Sequence, residues 1–518
     1  METTTYGILS VVPAILVIAL ALKTKQTLPS LIIGAFVGCF ILSGYNPLKA
    51  FPNLISEYVI PAISGNAGML MLTGAAGGFI YMIKSSGAAQ ALGDFASKHI
   101  KSRKGAQTCT FFAAFAFLYT EPHLTLGVIM RPITERFNVS RVKLAYMCDS
   151  LATIASISPI CACGPYISSL IAVQLGLLAL DTNPWPIYLR YIPYNFYAIF
   201  AILTVLIVVR TGLDVGPMYT AEQRAIRTGK LIGPNDKPIV EEDPKDMMIP
   251  PEATLSLKNI VIPLAALFGT LFAVIFWTGD IVHNGFVQSF LNAQITLAVT
   301  CAMLAGSAAV GVVACISHVY TPSAAFNKWT KGIMEIMSVN IILIMAWTLG
   351  GVLNGLGVKE FMATLVSETG FPPVLLPALV FLLGALTSFA TGSSWGTWAI
   401  LIPIVFPIAF SFDIPGEMIV GAVISGGLFG DHCSPISDTT IMSSTVSACD
   451  HVEHVRTQLP YGLTVGVSAF LGFIAAGLTR SLLPGLITTL AVVMLGLIVL
   501  NRIAKSHIQN DPEFMEVH

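Results

Sequence analysis

Apolar runs long enough to cross a bilayer recur along the whole chain, and polar residues interrupt them at a few places. The runs at 6–22, 28–44, 59–83, 187–209, 260–277, 294–316, 332–353, 459–478 and 483–500 each approach the roughly 20 residues that a hydrocarbon core requires. Two more segments, 144–180 and 418–447, contain a proline and a cluster of polar residues, and each is predicted as one broken span. Segments 107–130 and 372–410 have polar centres, Tyr119-Thr120-Glu121-Pro122-His123 in the first and Thr391-Gly392-Ser393-Ser394 in the second. Each is predicted as a re-entrant helical hairpin. The expected fold is an all-α polytopic membrane protein with eleven crossings, two of them broken.

The second break, Gly430-Asp431-His432-Cys433-Ser434-Pro435-Ile436-Ser437-Asp438-Thr439-Thr440, organises the chemistry. Pro435 removes a backbone donor and biases Ser434 away from helical geometry. Lipid tolerates open backbone and charge only where protein or a cavity surrounds them. Freed carbonyls, hydroxyls and carboxylates at such a break are the hard oxygen ligands that Na⁺ or a proton takes.

The chain also repeats itself, at an offset of 270 to 276 residues. Asn66 and Gly77-Gly78 answer Asn340 and Gly350-Gly351, Thr120 and Pro132 answer Thr391 and Pro403, and Ser158-Pro159-Ile160 answers Ser434-Pro435-Ile436. With the N-terminus outside, only Lys49, Arg190, Lys359 and Arg480 of the 27 basic residues fall outside. That bias follows the positive-inside rule and makes the two repeats inverted, an alternating-access arrangement. The predicted organisation is a first inverted repeat over 1–210, a cytoplasmic linker over 211–257, a second repeat over 258–480, and a final transmembrane helix with a cytoplasmic tail over 481–518.

Composition agrees: 55% of the 518 residues are hydrophobic and 11% charged, against about a quarter charged in soluble domains. Run 6–22 lacks a basic n-region, so it is expected to stay as the first helix. The nine cysteines show no metal spacing and are expected as small packing residues. No Walker loop, Gly-x-Ser-x-Gly elbow or HExxH motif is present, so an enzyme is not expected and no cofactor is implied beyond transported or coupling ions.

The run Gly430–Thr440 resembles the signature of NhaC-type sodium/proton antiporters, a family of the wider ion-transporter superfamily. The continuation from Cys449 to Tyr461 and the Thr391-Gly392-Ser393-Ser394-Trp395-Gly396-Thr397 hairpin are similar to that family as well. The resemblance implies two hairpins, two broken helices, a homodimer with elevator-like motion, and the plasma (inner) membrane as location. The same family includes exchangers of small organic anions and amino-acid carriers.

The candidate cation ligands are Asp438, Asp431, Ser434, Ser437, Thr439, Thr391, Ser393 and Ser394, with Na⁺ held at Asp438, Ser437 and Ser394. Asp438 is the first choice as coordinating carboxylate, and its place after the break suits an N-cap too. Asp431 is open between ligand, proton carrier and partner of His432. The proton or second-site candidates are Glu121, Thr120 and Ser158. A carboxyl at a hairpin tip such as Glu121 is costly to charge, which suits a proton carrier or a neutral hydrogen-bonded acid. Asp149 and Glu335, near cytoplasmic ends, are expected as solvated or packed residues. His451 and His454 are expected on a solvated loop face, with a pH sensor as the alternative. Asn66 and Asn340 are expected to brace the broken helices. Na⁺/H⁺ antiport is the leading function. A Na⁺- or H⁺-coupled carrier of an amino acid or carboxylic acid is the main rival, and a channel the third. The membrane lipid, small ions and a small organic solute are the implied partners. A cysteine placed at Val240 should react with a membrane-impermeant thiol reagent only from the cytoplasmic side; labelling from outside intact cells would overturn the topology.

Overall fold

The structure, a computed structural model, describes residues 6–509 except 25, 117, 119–121, 160, 162, 181, 239–248, 359, 362–363 and 365–371. It is built of helices. The first half contains α1 (Val12–Thr24), α2 (Thr27–Leu42), α3 (Ala67–Ser85), α4 (Arg103–Ala116), α5 (Pro122–Arg136), α6 (Arg141–Ala152), α7 (Cys163–Leu177), α8 (Pro184–Tyr191) and α9 (Phe196–Thr211). A helix α10 (Gly216–Thr228) follows. The second half contains α11 (Lys258–Thr278), α12 (Ile295–Ile316), α13 (Pro322–Glu335), α14 (Met337–Gly355), α15 (Leu376–Thr391), α16 (Ser394–Ser411), α17 (Gly416–Cys433), α18 (Asp438–Val446), α19 (His451–Thr479) and α20 (Leu482–Gln509). Shorter helices fill some of the connections, including Pro47–Asn53 and Ile60–Gly65 between α2 and α3.

Among the described residues, nine helical stretches are long and apolar enough to cross a membrane, ten with the bent pair that turns through 117° after α2. The expected eleven differs because α15 and α16, on either side of the Gly392 turn, each reach crossing length, whereas the apolar parts of α1 and α7 are shorter, α2 counts only within the bent pair, and no qualifying helix lies within 418–447 among the described residues. The 59–83 run is also divided, because the helix Ile60–Gly65 stops at Asn66 and α3 starts at Ala67.

The two halves interlock. Helix α3 packs on α12 and α13 of the second half, while α14, which carries the second glycine pair, packs on α2 of the first. Thr73 of α3 donates to Asn340 of α14 at 2.5 Å, so Asn340 ties the two glycine-pair helices together and does not brace a broken helix. The second break meets the first half: α18 lies on α5 and α6, and Arg131 and Arg141 donate to the carbonyls of Val446 and Ala448 at its C-terminal end. Cations at that end satisfy orphan carbonyls and oppose the helix dipole. After the first break α7 packs on α16, and Tyr166 donates to the Trp395 carbonyl at 2.9 Å.

The segment expected as a plain linker begins with a docked helix. Glu222 of α10 is buried and accepts from Arg103, from the Ser140 backbone N–H at 2.9 Å and from Gln107 at 3.4 Å. Just before α10, Asp214 pairs with the buried Lys143 of α6 and accepts from Tyr461 at 3.1 Å.

Helices α15 and α17 approach so closely that backbone meets backbone, as in membrane interfaces built on small residues. A Cβ on Gly426 would lie 2.2 Å from the Phe381 carbonyl oxygen, and one on Gly430 would lie 2.2 Å from that of Ala385. Gly426→Ala should cost ~1–3 kcal/mol by overpacking and lower the melting temperature in detergent. Gly269→Ala, where a Cβ meets nothing within 4 Å, serves as the control; equal melting of the two variants would refute the close approach.

Candidate functional site

The break between α17 and α18 spans Ser434–Ser437, and its polar groups are met one by one. Ser434 donates to the Phe389 carbonyl of α15 at 2.8 Å, and its oxygen accepts the Ile436 N–H at 3.4 Å. Gly392 is left-handed, φ +66°, and ends α15; a Cβ there would sit 2.4 Å from the Ile436 carbonyl oxygen. The hairpin tip therefore seats on the break, and only glycine fits the seat. Ser393 caps α16 through the Gly396 N–H, Thr391 donates back to Thr387, and Ser394 is buried in the first turn of α16.

Ser437, not Asp438, is the N-cap of α18: its hydroxyl accepts from the Thr440 N–H at 3.4 Å and lies 3.1 Å from the Thr439 hydroxyl. Asp438 is the first residue of α18 and is exposed. Asp431, in the last turn of α17, is buried. One oxygen of Asp431 accepts from Thr439 at 3.3 Å, and the other has no hydrogen-bond partner.

The acid that sequence reasoning placed among solvated or packed residues completes this picture. Asp149 of α6 is fully buried. It accepts from Thr440 at 2.9 Å and from Gln458 of α19 at 2.6 Å, and its other oxygen has no partner. Asp431 and Asp149 thus lie on the two neighbouring threonines that open α18. The Gln458 amide also donates to the His432 carbonyl at 2.9 Å, and its oxygen faces His454 at 3.0 Å. His454 is buried, and His451 is half-buried with its Nε2 at 2.7 Å from the Pro435 carbonyl. Neither is a solvated loop residue. The Pro435 carbonyl, expected as a free ion ligand, is already taken.

Buried acids elsewhere have basic partners: Glu222 has Arg103 and Asp214 has Lys143. Among the described residues neither Asp149 nor Asp431 is ion-paired with lysine or arginine, and no group of three or more His, Cys, Asp or Glu could hold a metal ion. At the N-terminus of α19 the Asp450 carboxyl is pushed up by partial burial. The backbone N–H groups of Glu453, Lys237 and Val452 outweigh that effect and hold it below its ordinary value.

At the first break Ser158 is buried, and its carbonyl accepts from Tyr188 at 3.0 Å. Tyr191 donates to the Ser156 carbonyl, and Asn195 to the Ser156 hydroxyl at 2.9 Å. Thr120 and Glu121 lie outside the described residues. The sequence carried a signal for the missed residues: His451, His454 and Gln458, three and then four apart, share one helix face.

A model of the Na⁺/H⁺ antiporter family matches residues 166–478, more than half of the chain. The chain belongs to the Na⁺/H⁺ antiporter family. Within it the NhaC-type signature stands, and the protein is a multi-pass membrane transporter. An uncharacterised Haemophilus influenzae protein is 31% identical over 93% of both chains. The arginine/ornithine antiporter ArcD of Halobacterium salinarum is 31% identical over 44% of this chain and 43% of its own. The malate-2H⁺/Na⁺-lactate antiporter of Bacillus subtilis is 31% identical over 29% of this chain and 33% of its own. The fold is similar to that of the Alcanivorax borkumensis YdaH transporter, with TM-score 0.59 and 14% identity, covering 88% of this chain and 90% of that one. In this antiporter-family chain Gln458→Leu should leave Asp149 and the His432 carbonyl short of a donor. Each such buried loss costs ~1–3 kcal/mol, read as a fall in melting temperature; unchanged melting would show that the two bonds do not hold.

Proposed function

We propose that this protein is a Na⁺/H⁺ antiporter that works by alternating access, with Asp431 and Asp149 as the groups that hold either Na⁺ or protons. The observation that carries this reading is that both acids are buried, each has an oxygen without a partner, and neither is ion-paired with lysine or arginine among the described residues. An uncompensated buried charge costs several kcal/mol. Each acid is therefore stable when protonated or when a cation sits at its unpartnered oxygen, and exchange is the competition between those states. Thr439, the Ser437 hydroxyl and the hairpin tip at Thr391, Ser393 and Ser394 surround the break and supply neutral oxygens. Asp438, exposed beside them, adds negative charge that draws a cation in. The interlocked packing of counterpart helices supports two inverted repeats with re-entrant hairpins, in an inner-membrane homodimer surrounded by lipid.

A second reading keeps these acids as the coupling-ion site and adds a small organic solute as cargo. A cleft of about 570 Å³ favours it, lined by Pro165 and Ser168 beside the first break together with Asn183, Trp185, Gln294 and Thr300. That volume lies within the range of small-molecule pockets, roughly 300–1,000 Å³. The named relatives that exchange arginine for ornithine or malate for lactate point the same way.

Reconstitution into liposomes with a pH dye inside tests both. A Na⁺ gradient should move protons in the opposite direction, Asp431→Asn and Asp149→Asn should each abolish that movement, and Asp438→Asn should weaken apparent Na⁺ affinity less than either. Silence of the dye, with uptake of a labelled amino acid or carboxylic acid driven by Na⁺ or H⁺, would replace the first reading by the second.

A further inference from the structure

A polar chain leads away from the carboxylate pair toward the end of α19, and counting its protons gives an unexpected sum. Asp149 accepts from Gln458, Gln458 faces His454, and the Nδ1 atoms of both His454 and His451 point at one hydroxyl, Ser444 Oγ, at 2.8 and 3.0 Å. His451 Nε2 lies on the Pro435 carbonyl, which can only accept, so that nitrogen carries hydrogen. The Gln458 amide nitrogen is fixed by the His432 carbonyl, another pure acceptor, so its oxygen is the atom that faces His454 Nε2. That nitrogen carries hydrogen as well. If both imidazoles are neutral, both Nδ1 atoms are acceptors. They then compete for the single Ser444 hydrogen, for which the Thr440 carbonyl at 2.7 Å competes too.

One added proton removes the conflict. A protonated imidazole donates its Nδ1–H to Ser444 Oγ, and the hydroxyl turns to donate to the other Nδ1. We propose that His451, Ser444 and His454 form a proton-binding site that holds one proton between the two imidazoles. The half-buried His451 is the port toward solvent, and the buried His454 is the end nearer Asp149. Two imidazolium ions on one hydroxyl would repel, so the capacity is one.

Asp149 of α6 reaches the site through Gln458, and its charge favours a cation there. Arg131 and Arg141 lie at the C-terminal end of α18, where they hold the carbonyls of Val446 and Ala448. Asp450 caps its own helix, and Glu453 is engaged by Arg456. Its role in transport rests on the antiport reading above: a proton here neutralises Asp149 across Gln458, and a cation arriving at Asp149 favours its release. The site itself does not depend on the cargo.

The experiment uses the full-length chain in detergent. Deuterium exchange at the imidazole C2 positions, followed by mass spectrometry across pH, gives the protonation curve of each histidine. His451 and His454 together should take up one proton as the pH is lowered, and no second one above about pH 5. Ser444→Ala removes the shared acceptor and should weaken proton binding at least tenfold, and Ser444→Thr, which keeps the hydroxyl, should restore it. Melting curves establish that each variant is folded. Two histidines that stay unprotonated down to about pH 5, or a Ser444→Ala curve that matches the wild type in a folded protein, would overturn the proposal. Because this readout involves no transport, failure of the liposome assay would overturn the antiport reading and leave the proton site standing.

Discussion

Backbone that leaves the helix inside a bilayer must find its hydrogen-bond partners within the protein, and the break at Ser434–Ser437 shows how far that rule shapes the fold. Its groups draw in Phe389 and Gly392 from the hairpin, His451 and Gln458 from α19, and Thr440 from the next helix. Gly426 and Gly430 let α15 come close enough to α17 for this to happen. Gln458 cannot satisfy His432 without also reaching Asp149, so meeting the backbone's needs delivers a carboxylate to the site. Structural satisfaction and ion chemistry share the same atoms.

The contrast among buried acids follows from the same constraint. Glu222 and Asp214 are ion-paired with Arg103 and Lys143, and they fasten α10 and its approach to the bundle. Among the described residues, Asp149 and Asp431 receive only hydroxyl and amide donors. Neutral donors orient a carboxylate without fixing whether it carries a proton, a cation or neither, which is the freedom an exchanger needs.

Much of this was legible in the chain. Pro435 and Pro159 marked where helices stop, the Gly392 turn marked the end of α15, and the glycine pairs marked two helices that pack across the halves. Asp431 and the hydroxyls around it stood out because charge is rare in an apolar run. What escaped was whatever depended on a distant partner. Asp149 looked like a solvated or packed residue and not a site acid, because its position near a helix end says nothing of Gln458, far along the chain. Asp438 looked like the cap because spacing alone cannot tell it from Ser437, one residue earlier, and the cap geometry chose the serine. His454 looked like a loop residue because α19 begins earlier than the apolar pattern does, and its first turns are polar on the face that packs inward.

The crossing of partners between halves bears on how the chain is made. Helix α3 rests against α12 and α13, and α5 and α6 rest against α18, so surfaces made early in synthesis are covered only by helices made late. Contacts of such long sequence separation form slowly. While the ribosome is still working on the second half, Gly77 of α3 has no Gly332 to meet, and Gly127 of α5 has no Val446. The newborn first half must therefore wait in the bilayer with its small-residue grooves filled by lipid, and assembly of the transporter is an exchange of lipid for late-arriving protein.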